Sequence, residues 1–152
     1  MSQKELANAA KNGFSMYGQL ARILMGKIGE KNLYDAVADM GEESGAAYAE
    51  WTKLGAEDYS KQLLASQRSG GWEADVKVEG GKVTLINHTC PCYTGMRESG
   101  LTHDQAKNMC YAWWRKFPDS AKKNNPAVKN FKIEKYRSDA SDFCLEVFEL
   151  EK

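Results

Sequence analysis

The sequence predicts an α+β domain in which N-terminal helices pack on a four-stranded antiparallel sheet and a helix is inserted between the two hairpins. Three observations carry that prediction. Apolar residues recur at three- and four-residue steps through the first part of the chain, the spacing of a buried helical face. After Ser69-Gly70-Gly71 the spacing changes to strict alternation, the mark of a half-buried strand. Alternation then returns at the C-terminus, after one more helical stretch. The 152 residues form a single expected domain, residues 1–152, long enough to bury a core without staples.

Leu6, Ala10, Gly13, Tyr17, Leu20, Leu24 and Ile28 define the apolar face of a long first helix. A second begins near Lys31, carries Leu33, Val37, Met40, Ala47, Tyr48 and Trp51 on its stripe and ends near Gly55. Gly41 and Gly45 sit within it, and glycine in a helix interior costs about 1 kcal/mol relative to alanine. Either a neighbouring helix comes close there or a ligand needs the room. A shorter third helix covers Glu57 to Gln67. Trp72, Ala74, Val76 and Val78 then alternate with charged residues as a strand, and Gly80-Gly81 forms a two-residue turn into its partner, Val83 to His88.

Tyr93 to Gly100 reads as a glycine-containing loop. Thr102, with Gln105 three residues on, caps a helix that runs to about Phe117, where Pro118 follows. A polar connection, Lys122 to Pro126, leads to two closing strands, Val128 to Tyr136 and Asp142 to Leu150.

Lysine plus arginine equals aspartate plus glutamate at 21 each. No net field therefore steers the chain towards nucleic acid or an anionic membrane surface. Met1-Ser2-Gln3-Lys4-Glu5 leads into an amphipathic stretch with no apolar signal core and no transmembrane-length span, so the expected location is cytoplasmic. In a reducing compartment the four cysteines are expected as thiols, ligands or redox groups.

The richest segment is His88-Thr89-Cys90-Pro91-Cys92, which alternates an imidazole and two thiols where a strand is ending. Alternate residues of an extended chain point to one side, and Pro91 disfavours a helical Cys90. His88, Cys90 and Cys92 are therefore expected to converge. Cys90 and Cys92 are the candidate catalytic thiols, with His88 and Glu98 as catalytic partners. Arg97 is the candidate anchor for a carboxylate substrate, because its planar fork binds a carboxylate at two points. Lys107 and Arg115 are further charges near this edge, and His103 is expected at the surface. Trp113, Trp114 and Tyr111 are expected as core and pocket wall.

Thiolate and imidazole also suit zinc or an iron–sulfur cluster, with Cys90, Cys92, Cys110 and Cys144 as candidate ligands. The spacing is not a standard zinc pattern, and Cys110, between Met109 and Tyr111 on a helix, serves packing equally well. Cys144 alternates with Phe143, Leu145 and Val147, which puts it on the other strand face, beside Glu146.

The glycine-bearing helical half, the Cys90-Pro91-Cys92 edge, the helix carrying Cys110 and the closing Ser141-Asp142-Phe143-Cys144-Leu145-Glu146-Val147 strand together resemble the L-2-amino-thiazoline-4-carboxylic acid hydrolase-like family. More distantly they resemble the 4-vinyl reductase type of small-molecule-binding domain. The first resemblance implies hydrolytic opening of a small carboxylated cyclic amidine, by thiolate attack or by metal-activated water. The second implies a non-catalytic small-molecule-binding or sensory domain with a cysteine-bound zinc or iron–sulfur site. The expected partner is a small-molecule carboxylate, and assembly as a homodimer is left open.

Overall fold

Ser2 starts the first helix through a reciprocal cap: its hydroxyl accepts from the Glu5 N–H at 3.3 Å while the Glu5 carboxylate accepts from the Ser2 N–H at 2.6 Å. The computed structural model describes residues 1–52 and 55–151, and of residues 48–52 the backbone alone. Helix α1 spans Gln3–Ile28, α2 spans Glu30–Thr52 and α3 spans Gly55–Ser69. Gly29, at a φ of 84° that favours glycine, separates α1 from α2. The expected stripe positions Tyr48 and Trp51 lie outside the described side chains.

Strands β1 (Ala74–Glu79) and β2 (Lys82–Asn87) form the expected hairpin, with Glu79 opposite Lys82 across the Gly80-Gly81 turn. β3 (Val128–Lys135) and β4 (Cys144–Leu150) complete a four-stranded antiparallel sheet of order β1-β2-β4-β3. Leu85 stands opposite Glu146 and Val83 opposite Phe148, so these side chains share one face of the sheet. Helices cover that face. Tyr59 and Leu63 of α3, with Trp114, Phe117 and Ala121, pack there against Val83, Leu85, Phe131 and Phe148 as one core.

Two helices lie between β2 and β3 where one was expected: α4 (Pro91–Glu98) and α5 (His103–Asn124). The supposed Tyr93–Gly100 loop is mostly α4. Pro91 stands at its first turn, where a missing N–H costs nothing, and Gly95 lets the α1 backbone pass close by at Lys11. Gly100, with φ of 93°, leads out of it. Thr102 and Gln105 make the expected capping box, at 3.1 and 3.0 Å. α5 continues past Pro118 instead of stopping at Phe117. Its last turns are held by packing: Ala121 is buried and the Ser120 hydroxyl donates to the Glu42 carbonyl at 2.6 Å.

Leu20, Ile28 and Met40, expected on buried stripes, are exposed. α1 turns Gly18 and Ala21 inward instead, because it packs on the unforeseen α4 and not on the sheet. In α2 the glycines answer the question of spacing. A methyl at Gly41 would run into the Trp113 carbonyl and one at Gly45 into the Phe117 carbonyl, so both serve the close approach of α5. Arg115 to Asp35 and Lys116 to Asp39, each at 2.6 Å, flank that seam. A second core joins α1, α2, α4 and α5 around Leu33, Val37, Met96 and Met109. No helix among the described residues is long and apolar enough to cross a membrane.

Candidate functional site

A cavity of about 600 Å³ lies where the two cores meet. Its walls come from every helix and from β2 and β4, and half of the lining residues are aromatic or methionine, Trp72, Trp113 and Trp114 among them. Its polar groups are Cys90, Cys92, Cys110, Asn87, Gln67 and Glu146, with the Tyr17 hydroxyl and the indole N–H groups of the three tryptophans. No lysine or arginine is among its described lining residues.

Cys90 caps α4. Its backbone is extended, with φ of −135° and ψ of 97°, as Pro91 requires, and its sulfur accepts the Tyr93 N–H at 3.3 Å. The Cys92 thiol donates to the same sulfur, and this bond does most to draw the Cys90 thiol down to about 6. Burial works the other way, and the Tyr93 N–H, the Arg137 charge and the Trp72 side chain add to the lowering. Cys92 is pushed well above the ordinary thiol range, first as donor to Cys90 and then by burial. One thiol of the pair thus tends to ionise while the other keeps its proton.

Cys110 also lines the cavity, and burial foremost pushes its thiol up. Cys144 does not line it. It is 7 % exposed and its sulfur accepts from Arg137 Nε at 3.4 Å. Burial raises it, against the pull of Arg137. Arg137 is only 1 % exposed and also donates to the Asn87 carbonyl at 3.0 Å, with its guanidinium 5.6 Å from the Tyr93 ring centroid.

Glu146 is the residue that sequence reasoning missed. Burial, reinforced by the nearby Cys90, pushes its carboxyl up to about 8, although Asn87 Nδ2 donates to it at 3.3 Å. A signal was present: Glu146 shares its strand face with Phe148 and Leu150, where a solvated carboxylate does not belong. Asn87 Oδ1 and Gln67 Oε1 are buried with no hydrogen-bond partner, and both residues line the cavity. Two acceptors of the cavity wall thus await a donor.

The remaining expected residues fall elsewhere. His88 Nε2 is 2.9 Å from the exposed Asp75 carboxylate, outside the cavity. Cys92 belongs to the first turn of α4, so the alternation that was to gather His88, Cys90 and Cys92 ends at the cap. Arg97 Nη1 donates to the Leu101 carbonyl at 2.6 Å and Glu98 accepts from Lys11 at 3.1 Å, both on the outer side of α4. Arg115 pairs with Asp35, and Lys107 lies 5.9 Å from the Tyr111 ring centroid. Tyr111 is 40 % exposed and takes no part in the cavity wall. His103, expected at the surface, is half-buried, its Nδ1 3.0 Å from Tyr93 Oη.

Among the described residues, no three His, Cys, Asp or Glu side chains stand so that they could hold one metal ion. Comparison of the chain with protein-family models, with curated proteins and with solved structures finds no match.

Proposed function

We propose that the protein is a thiol-dependent hydrolase that opens a small cyclic amidine of the 2-amino-thiazoline type, with Cys90 as its nucleophile. The observation that carries this reading is the Cys90 sulfur, which accepts from the Cys92 thiol and from the Tyr93 N–H in the wall of a cavity that also holds two unpaired amide oxygens and the buried Glu146 carboxyl. An amidinium is a planar set of donors and suits such a floor. A carboxylate would meet Glu146 and the Cys90 sulfur with no lining cation to offset them. The reaction class is that of the family the sequence resembles, without the Arg97-held carboxylate.

The free-base amidine takes the proton of Glu146 and becomes an amidinium held by the resulting carboxylate. Cys90 attacks the carbon between sulfur and nitrogen. The ring carbon–sulfur bond breaks, and the Cys92 thiol protonates the departing sulfur. Water then attacks the Cys90-bound carbon, giving one proton to Cys92, and Cys90 leaves as thiolate. The protonated urea returns its proton to Glu146. The net change is amidine plus water to an open-chain ureido-thiol.

Turnover of 2-amino-thiazoline, followed by mass spectrometry of the ureido-thiol, tests this. Cys90→Ser should lower the rate at least a hundredfold, and the wild-type rate should rise through about pH 6 and fall above about pH 8, as Cys90 ionises and Glu146 loses its proton. His88→Ala and Glu98→Gln should stay within twofold. No turnover, with Cys90 reacting no faster than free cysteine, would leave a non-catalytic small-molecule-binding or sensory domain. Stoichiometric zinc or iron in the purified protein, lost in Cys90→Ser, would replace the nucleophile by a metal site.

A further inference from the structure

The two ends of the cavity differ in chemistry. Glu146, Asn87 and Cys90 stand at the sheet and at the start of α4. Gly13 of α1 and Met40 of α2 also line the cavity, yet both are exposed, Met40 by 51 %. The cavity therefore opens to solvent between α1 and α2. Its 600 Å³ far exceeds a single small ring and lies in the range, roughly 300–1,000 Å³, that drug-sized ligands use.

Gly13 supplies an independent observation. Glycine is unfavourable inside a helix, and at Gly18, Gly41, Gly45 and Gly95 close packing accounts for it. A methyl at Gly18 would strike the Ser99 side chain, one at Gly95 the Lys11 carbonyl and one at Gly41 the Trp113 carbonyl. At Gly13 nothing lies within 4 Å of where the methyl would sit. Gly26 is open in the same way, but it lies outside the cavity. The space that a side chain at position 13 would occupy adjoins the cavity mouth.

We propose that the ligand of this site is amphiphilic: an amidine-like head among Glu146, Asn87 and Cys90, and an aryl or alkyl arm that follows the aromatic wall and leaves past Gly13. The inference takes from the proposed function only the place and chemistry of the head. At Gly41 and Gly45 the close approach of α5 accounts for the glycines, and the room for a ligand lies at Gly13.

Trp72, Trp113 and Trp114 line the cavity, so binding is read by tryptophan fluorescence. The probes are 4-alkoxybenzamidines of rising chain length and the matched 4-alkoxybenzoates. Wild-type affinity should improve about threefold to fourfold per added methylene until the arm reaches solvent, and the benzoates should bind at least tenfold more weakly. Gly13→Leu, with its helix content checked by circular dichroism, should abolish the gain from chain length and leave unsubstituted benzamidine within twofold. Affinity independent of chain length, benzoates bound as tightly, or an equal loss for short and long probes in Gly13→Leu would each overturn the proposal. If the chain-length effect holds while no 2-amino-thiazoline is opened, the reaction fails and the ligand class stands; turnover with a flat series fails the arm alone.

Discussion

Glu146 is held where water would not leave it ionised. Its Oε1 accepts from Asn87, and no lining residue supplies a countercharge, so burial keeps the proton on up to about pH 8. The linkage has a definite sign. In the unfolded chain this carboxyl ionises near its ordinary value, so between there and about pH 8 the native state binds the extra proton and stability falls as pH rises. Glu146→Gln removes that loss. Thermal unfolding should show the variant on the order of 5 °C more stable at alkaline pH and unchanged in acid, while turnover collapses. Equal melting curves at every pH would mean that the carboxylate is solvated. Arg137 works in the opposite sense: its buried charge favours ionised Cys90. Glu146 was legible only through the strand face it shares with Phe148 and Leu150, and Arg137 was not legible as part of the site. Arg137 lies in a polar connecting run of the sequence, and its burial arises only because the Asn87 carbonyl and the Cys144 sulfur converge on it from neighbouring strands. The thiols of Cys90 and Cys92 were legible, because proline between two cysteines constrains them locally.

Short-range chemistry was the readable part of the elements. The Thr102 cap, the Gly80-Gly81 hairpin and the alternation of β1 all depend on contacts within a few residues, and each forms as expected. The α4 helix and the end of α5 were not readable, because Pro91, Gly95 and Pro118 look like breakers. Their tolerance comes from partners far along the chain, with α1 running beside Gly95 and α2 beside the last turns of α5. The same long-range packing decides the α2–α5 seam. Gly41→Ala should force that seam apart, costing about 1–3 kcal/mol and lowering the melting temperature by about 5 °C. A variant that melts with the wild type would show that the Trp113 carbonyl does not stand against position 41.

At the scale of the whole molecule, two cores meet without filling the space between them, and the proposed chemistry sits in that gap. The sheet delivers Asn87 and Glu146 to the gap, α4 presents the thiol pair and α5 supplies the tryptophan wall. The α+β class and the four antiparallel strands followed from periodicity alone. The strand order β1-β2-β4-β3 and the covered face did not, since alternation marks two faces without saying which one the helices will bury. The cavity, and with it the proposed function, depends on that choice. The proposed function depends on one thiol of four being ionised near neutrality, and alkylation by iodoacetamide, mapped cysteine by cysteine across pH, tests it most directly. Cys90 should react with a midpoint at about pH 6, while Cys92 and Cys110 stay slow until well above the ordinary thiol range and Cys144 until above its ordinary value. A Cys90 that titrates near the free-thiol value of about 8.5, or reacts no faster than the other three, would contradict the account.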